Sequence, residues 1–247
     1  MTNNPTVFLV MLVAVISLIS LSKGGLGGMA GSLATPLMAL VMPVNKVLGL
    51  ILPFMLFADV FAIALYWRKW NGRLVWLLIP GAVIGVTIGT FFIANVSTNV
   101  LKIGLAAISL LFVAYKLLEK RILASSKYQE RNWHGWLAGT TAGFASSLAH
   151  SGSPPISIYL MLLEVPPAVF LGTSVLFFAI VNWIKVPYYL YIHLFNFQLL
   201  KQIAWVFLIV PLGAWFGRWL VTKISKNVFD TIILVLLLIT ALLLLFG

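Results

Sequence analysis

Apolar residues run through this chain in stretches of about 20, the length that crosses the hydrocarbon core of a bilayer as a helix, and two of the stretches are interrupted in the same way. The first interruption reads Ser22-Lys23-Gly24-Gly25-Leu26-Gly27-Gly28 and runs on to Thr35-Pro36. The second reads Ser146-Ser147-Leu148-Ala149-His150-Ser151-Gly152-Ser153-Pro154-Pro155. Periodicity and breakers predict a broken segment at about 6–43, helices at about 45–67, 74–95 and 98–118, and a polar connector at 119–133. A second broken segment follows at about 134–164, then helices at about 167–190, 199–222 and 227–246. The fold expected is all-α and polytopic, with two repeats, 1–118 and 134–247, in one transmembrane domain covering residues 1–247.

The two halves match in detail. Pro36 corresponds to Pro155, Gly24 to Gly143, Asp59 to Asn182, Tyr66 to Tyr189, and Gly85, Gly89 and Asn99 to Gly213, Gly217 and Asn227. The offset drifts from 119 (155 − 36) through 123 (182 − 59) to 128 (213 − 85), as insertions in loops would cause. This is an internal duplication.

Charge indicates how the copies are oriented. The loop carrying Arg68, Lys69 and Arg73 corresponds to the uncharged stretch His193 to Phe197, whereas uncharged Asn95 to Asn99 corresponds to Lys223 to Asn227. Positive-inside sorting produces such an exchange when the copies are inverted, because equivalent loops then lie on opposite faces. Inversion requires each half to cross an odd number of times, so each broken segment must return to its own side as a re-entrant hairpin. The 68–73 and 119–133 loops are then cytoplasmic and both termini are outside. The alternative, eight spans with parallel halves, divides the charges less sharply.

Composition narrows the function. With 62% apolar and 9% charged residues the chain is an integral membrane protein. Its charge of +11 comes from short loops and span ends, as the membrane bias dictates, and does not indicate nucleic-acid binding. The absence of cysteine excludes disulfides and thiol chemistry. No metal, nucleotide or nucleophile motif is present, so neither an enzyme nor a cofactor is expected. The first apolar run leads into Lys23 and glycines rather than a small-residue cleavage site, so it reads as a retained span.

The breaks are where chemistry is expected. Non-helical backbone at membrane depth is tolerated where it is buried in protein or lines a cavity, and paired breaks in two halves point to a carrier's binding site. The N–H groups of a restarting helix favour an anion. Lys23, Gly24, Gly25, Gly28, Ser32, Thr35, His150, Ser151, Gly152 and Ser153 are the expected binding residues, with Ser22, Ser146 and Ser147 as further hydroxyls and Pro36, Pro154 and Pro155 expected at the starts of half-helices. Asp59, Asn182 and Lys185 are expected to support or couple, since a charge inside a span is expensive and marks function. The blander alternatives are an Asp59–Lys salt bridge with Lys185 snorkelling beside Tyr188 and Tyr189, and close helix packing as the purpose of the glycines.

These residues resemble a known family. The run from Ser22 to Gly28 continuing to Pro36-Leu37-Met38-Ala39-Leu40, then Leu52-Pro53 and Asp59, is similar to the first half of the TauE/SafE sulfite and organosulfonate exporters. His150-Ser151-Gly152-Ser153-Pro154-Pro155, Gly172 to Phe178, and Asn182-Trp183-Ile184-Lys185 are similar to the second half. The resemblance implies a multi-pass bacterial inner-membrane permease for small anions containing sulfur or a similar oxyanion. Ser151 and Ser153 stand where smaller residues are expected, a departure that bears on substrate choice. The reading is therefore a secondary transporter of small anions working by alternating access, with proton coupling through Asp59 or His150. Its partners are the anion and the lipid bilayer, with homo-oligomerisation left open. An anion-selective channel, a carrier of a small carboxylate and an intramembrane enzyme are the alternatives.

Overall fold

The computed structural model describes residues 4–26, 29–124, 131–220, 223 and 226–246. In chain order it gives α1 (Pro5–Leu21), a π-helical turn (Ser22–Leu26), α2 (Met29–Ala39), α3 (Val44–Leu65), α4 (Gly72–Asn95), α5 (Thr98–Ala124) and α6 (Asn132–Ala149). Then come α7 (Ser153–Leu162), α8 (Pro167–Tyr191), α9 (Phe197–Gln202), a 3-10 turn (Ala204–Leu208), α10 (Ile209–Leu220) and α11 (Lys226–Phe246). No strand occurs among the described residues. Among the described residues, five helical stretches, Pro5–Gly24, Val44–Leu65, Gly72–Asn95, Thr98–Glu119 and Pro167–Tyr191, are long and apolar enough to cross a membrane. The chain is an all-α, multi-pass membrane protein.

The broken segments behave differently from one another. In the second, α6 ends at His150, whose backbone is left-handed (φ 51°, ψ 26°), and α7 restarts at Ser153 with Pro154 and Pro155 in its first turn, as expected. The first is not unwound over Ser22–Leu26; the helix there widens to π geometry, which keeps the chain helical while displacing carbonyls from their usual partners. Pro36 does not start a helix but lies inside α2. Because α2 and α7 have 11 and 10 residues, each is about 15–17 Å long, half of a hydrocarbon core of about 30 Å.

One expected span is also interrupted. The 199–222 stretch divides into α9, a 3-10 turn and α10. Pro211 lies in the first turn of α10 and supplies no N–H, while its ring crowds the carbonyl of Phe207, so the backbone just before it tightens. Unlike the predicted 98–118 span, α5 continues to Ala124.

Contacts between glycines and backbone set the helix directions. A β-carbon at Gly81 would lie 2.1 Å from the Trp136 carbonyl oxygen, at Gly85 2.0 Å from that of Thr140, and at Gly139 2.1 Å from that of Leu78. Side chains are excluded from this seam, and its rising register makes α4 and α6 parallel. Gly213 against Ser20 and Gly217 against Leu21 repeat the arrangement for α10 and α1. In contrast, α3 and α8 are antiparallel: Gly49 packs on the backbone of Leu194, Asp59 meets Asn182, and Gly172 packs on the backbone of Lys69. Asn71 N–H donates to Thr173 Oγ1 (3.0 Å), tying the α3–α4 loop to the start of α8.

The interior divides into apolar clusters on either side of this axis. One, around Leu48, Leu52, Leu101, Leu105, Leu148 and Tyr189, fills the end of the molecule where α3 begins. Another, around Leu78, Ala82, Ala142, Tyr159, Phe177 and Val181, joins α4, α6, α7 and α8. Between them lies the polar centre.

Candidate functional site

Three side chains, from α3, α8 and the π turn, meet at the middle of the α3–α8 pair. The π turn carries Lys23 to Asp59, where its ammonium forms an ion pair with Oδ1. Asn182 Nδ2 donates to Oδ2 of the same carboxylate at 2.7 Å. Asp59 is 1% exposed and Asn182 wholly buried, so both oxygens of a buried carboxylate are satisfied, one by charge and one by an amide. The Oδ1 of Asn182 is buried without a hydrogen-bond partner among the described residues and borders the cavity described below.

Lys185, one turn beyond Asn182 on α8, is 0% exposed. Its Nζ donates to His150 Nδ1 (2.9 Å) and to Ser146 Oγ (3.1 Å), with the Ser146 carbonyl at 3.4 Å. An ammonium only donates, so Nδ1 accepts, and the ring proton belongs on Nε2, which lies 3.2 Å from the Leu48 carbonyl oxygen. With Lys185 as the donor, the ring is assigned as the neutral Nε2–H tautomer. Lys185 therefore neither snorkels nor pairs with Asp59; its direct partners are neutral. Burying a cation without a carboxylate in contact is costly, and the left-handed backbone of His150 adds local strain. Such costs are usual where a structure is arranged to receive something.

A cavity of about 160 Å³ begins at this centre. Ser22, Lys23, Ser146, His150, Gly152, Ser153 and Asn182 line its inner end, and Gly152 is required there because a β-carbon would lie 2.5 Å from the Ala142 carbonyl oxygen. Its walls run outward along one face of α7 (Ser153, Ser157, Met161) and of α8 (Phe170, Ser174, Phe178) to Tyr66, Tyr115, Lys116, Glu119 and Asp230. At that mouth Tyr115 donates to Glu119 (2.8 Å), and Lys116 reaches Glu119 (2.6 Å) and Asp230 (3.9 Å). No group of acidic and histidine side chains suited to a metal occurs among the described residues.

A family model described as "Sulfite exporter TauE/SafE" matches residues 12–244, nearly the whole chain. The chain belongs to the TauE/SafE family. This family member is accordingly a membrane transporter. No curated protein and no solved structure matches it.

Of the binding residues expected from the TauE/SafE-like sequence, Lys23, His150, Gly152 and Ser153 border the cavity, with Asp59, Asn182 and Lys185 at or just behind its inner end. Ser32 and Thr35 are buried on α2 and Ser151 beside the break, but none of the three lines the cavity. Gly24 is buried and does not line the cavity, Gly25 belongs to the π turn, and Gly28 lies outside the described residues. The sequence assigns no role to Ser157 and Ser174, although each lies one helical turn from another cavity residue, Ser153 and Phe170 respectively, and that spacing was the available signal. The charged mouth carries no such signal, because Asp230 comes from the last helix and meets α5 only in the folded chain.

Proposed function

We propose that the protein moves a small anion, sulfite or an organosulfonate or related oxyanion, across the bacterial inner membrane by alternating access. The observation that carries this is Lys185: a wholly buried ammonium with only neutral direct partners, held behind His150 and Ser146 at the closed end of a cavity. Lys23 is already neutralised by Asp59, so an arriving monoanion would balance the remaining charge. The hydroxyl and backbone N–H of Ser153 at the start of α7 add donors, while Pro154 and Pro155 supply none. The Lys185–His150 hydrogen bond is the place for a coupling proton, since a proton on Nδ1 excludes the lysine's donation.

The helix directions support inverted halves within one transmembrane domain. α3 and α4 form a hairpin, α4 and α6 are parallel, and α8 opposes α3; hence α6 and α8 share a direction and α7 returns between them. The α1–α10 seam gives the mirror statement for α1, α2 and α3. Each broken segment then leaves on the side it entered, and the α3–α4 loop, the end of α5, the start of α6 and the cavity mouth share one face. Arg68, Lys69, Arg73, Arg121 and Arg131 gather there, which makes it cytoplasmic. A channel is disfavoured because Leu48, Leu52, Leu148 and Tyr189 fill the path beyond His150.

The test is flux into proteoliposomes with sulfite, thiosulfate, sulfoacetate, taurine and lactate, with and without a pH gradient. Saturable flux of one sulfur anion, lost in Lys23→Ala and His150→Ala, is expected. Flux of the active compound unchanged by both substitutions would overturn the site. Non-saturating flux would indicate a channel, and preference for lactate a carboxylate carrier.

A further inference from the structure

Matching faces of α3 and α8 have opposite surroundings. Leu48, Leu52 and Tyr189 are fully buried in one apolar cluster with Leu148, Ala149, Leu101 and Leu105. The Tyr189 hydroxyl donates to the Ser147 carbonyl at 2.7 Å. The offset that relates Asp59 to Asn182 relates these residues to Leu171 (48 + 123), Val175 (52 + 123) and Tyr66 (189 − 123). All three of those line the cavity and are only half-buried.

The α3–α8 pair itself is symmetric. Gly49 lies on the Leu194 backbone at one end while its counterpart Gly172 lies on the Lys69 backbone at the other, and both contacts are made at once. What differs is the packing against the two ends. The end of α6 and the start of α5 cover Leu48 and Leu52, whereas Leu171 and Val175 face open space. Two branched aliphatic side chains and a tyrosine recur at the same register, so closing one set while opening the other exchanges nearly the same apolar area. Two states related in this way lie close enough in free energy for the minor one to be populated.

We infer that Leu48, Leu52 and Tyr189 form the closed outer gate of the transporter, and that Leu171, Val175 and Tyr66 are its inner counterpart, present here in the open position. This rests on the alternating-access reading above. During transport the two sets pack in turn, while the Lys23–Asp59–Asn182 centre between them stays assembled.

The chain contains no cysteine, so Leu48→Cys and Leu171→Cys can each be introduced alone and labelled with a membrane-impermeant maleimide in vesicles of known orientation. Leu171→Cys, reached from the cytoplasmic face, is expected to react about tenfold or more faster than Leu48→Cys reached from outside, because a minor state of such a pair is populated at roughly 0.1–10%. Adding Tyr189→Phe, which deletes the bond to Ser147, speeds labelling at position 48 and slows it at position 171. Tyr66→Phe does the reverse. Changes of the same sign at both positions, or no change with either tyrosine variant, overturn the gates. Sulfite is added in a second arm. If it leaves both rates unaltered while the tyrosine variants move them oppositely, the gates stand and the sulfite reading fails; if sulfite is transported without reciprocal labelling, the gates fail and that reading stands.

Discussion

Asp59 accepts a hydrogen bond from Asn182, the residue that occupies its own place in the other half of the chain. On the inverted-repeat reading proposed above, a position that touches its own counterpart lies on the axis relating the two copies, which would place the ion pair with Lys23 where a rocking motion displaces atoms least. Duplication followed by divergence at this pair, carboxylate on one side and amide on the other, allows one cation to be held without two acids repelling each other.

Replacing Lys23 with Met leaves the Asp59 carboxylate buried with only Asn182 as donor. We expect a loss of about 3 kcal/mol of stability, at the low end for a broken buried pair because Lys23 retains some exposure. Lys23→Met combined with Asp59→Leu should lose less than the sum of the single variants. Thermal unfolding in detergent measures both; strict additivity would contradict the pairing.

Lys185→Met should separate stability from function. It removes a buried charge that no carboxylate contacts, while leaving His150 Nδ1 and Ser146 Oγ short of a donor, a cost of about 1–3 kcal/mol set against the desolvation relieved. Folding is therefore expected to change little and anion flux to fall at least tenfold, or about 1.4 kcal/mol in binding. Undiminished flux in this variant would remove Lys185 from the mechanism.

Gly85→Ala and Gly104→Ala form a matched pair. At Gly85 the added carbon would lie 2.0 Å from the Thr140 carbonyl oxygen, which only separation of α4 and α6 can relieve, so a loss of about 1–3 kcal/mol or more is expected. Nothing lies within 4 Å at Gly104, where alanine should stabilise α5 by about 0.5–1 kcal/mol. The order of unfolding temperatures of the two variants relative to the parent checks this.

At position 150 the backbone is left-handed, a conformation that asparagine tolerates better than alanine. His150→Asn should therefore keep more stability than His150→Ala. It should also keep more flux, because its side-chain oxygen can accept from Lys185. Equal impairment of both variants would show that neither backbone strain nor that hydrogen bond matters at this position.

Legibility from sequence followed the range of the interactions involved. The unbroken helices 45–67, 74–95 and 167–190 agree with α3, α4 and α8 to within two residues, because each is set by local apolar length and by polar residues at its ends. The 199–222 span did not, since a proline near the start of a helix is ordinarily benign and its effect on Ala204–Leu208 depends on the surrounding packing. His150 was recognisable as a candidate from its place in the second break. Tyr66 and Tyr189 were recognisable only as a matched pair.

By itself the sequence determined that the chain crosses a membrane repeatedly, that it contains one pattern twice, and that its charged residues within apolar stretches were unusual enough to mark a centre. These are consequences of composition and spacing, which the solvent reads without reference to fold. Only the tertiary structure decided which of those charges meet. Lys23 pairs with Asp59 from 36 residues away, Lys185 turns instead to His150 and Ser146, and Ser32 and Thr35 pack away from the cavity. The partner of a buried charge is fixed by which helices the glycine seams bring into contact, and that three-dimensional register is not written in the neighbourhood of any one residue.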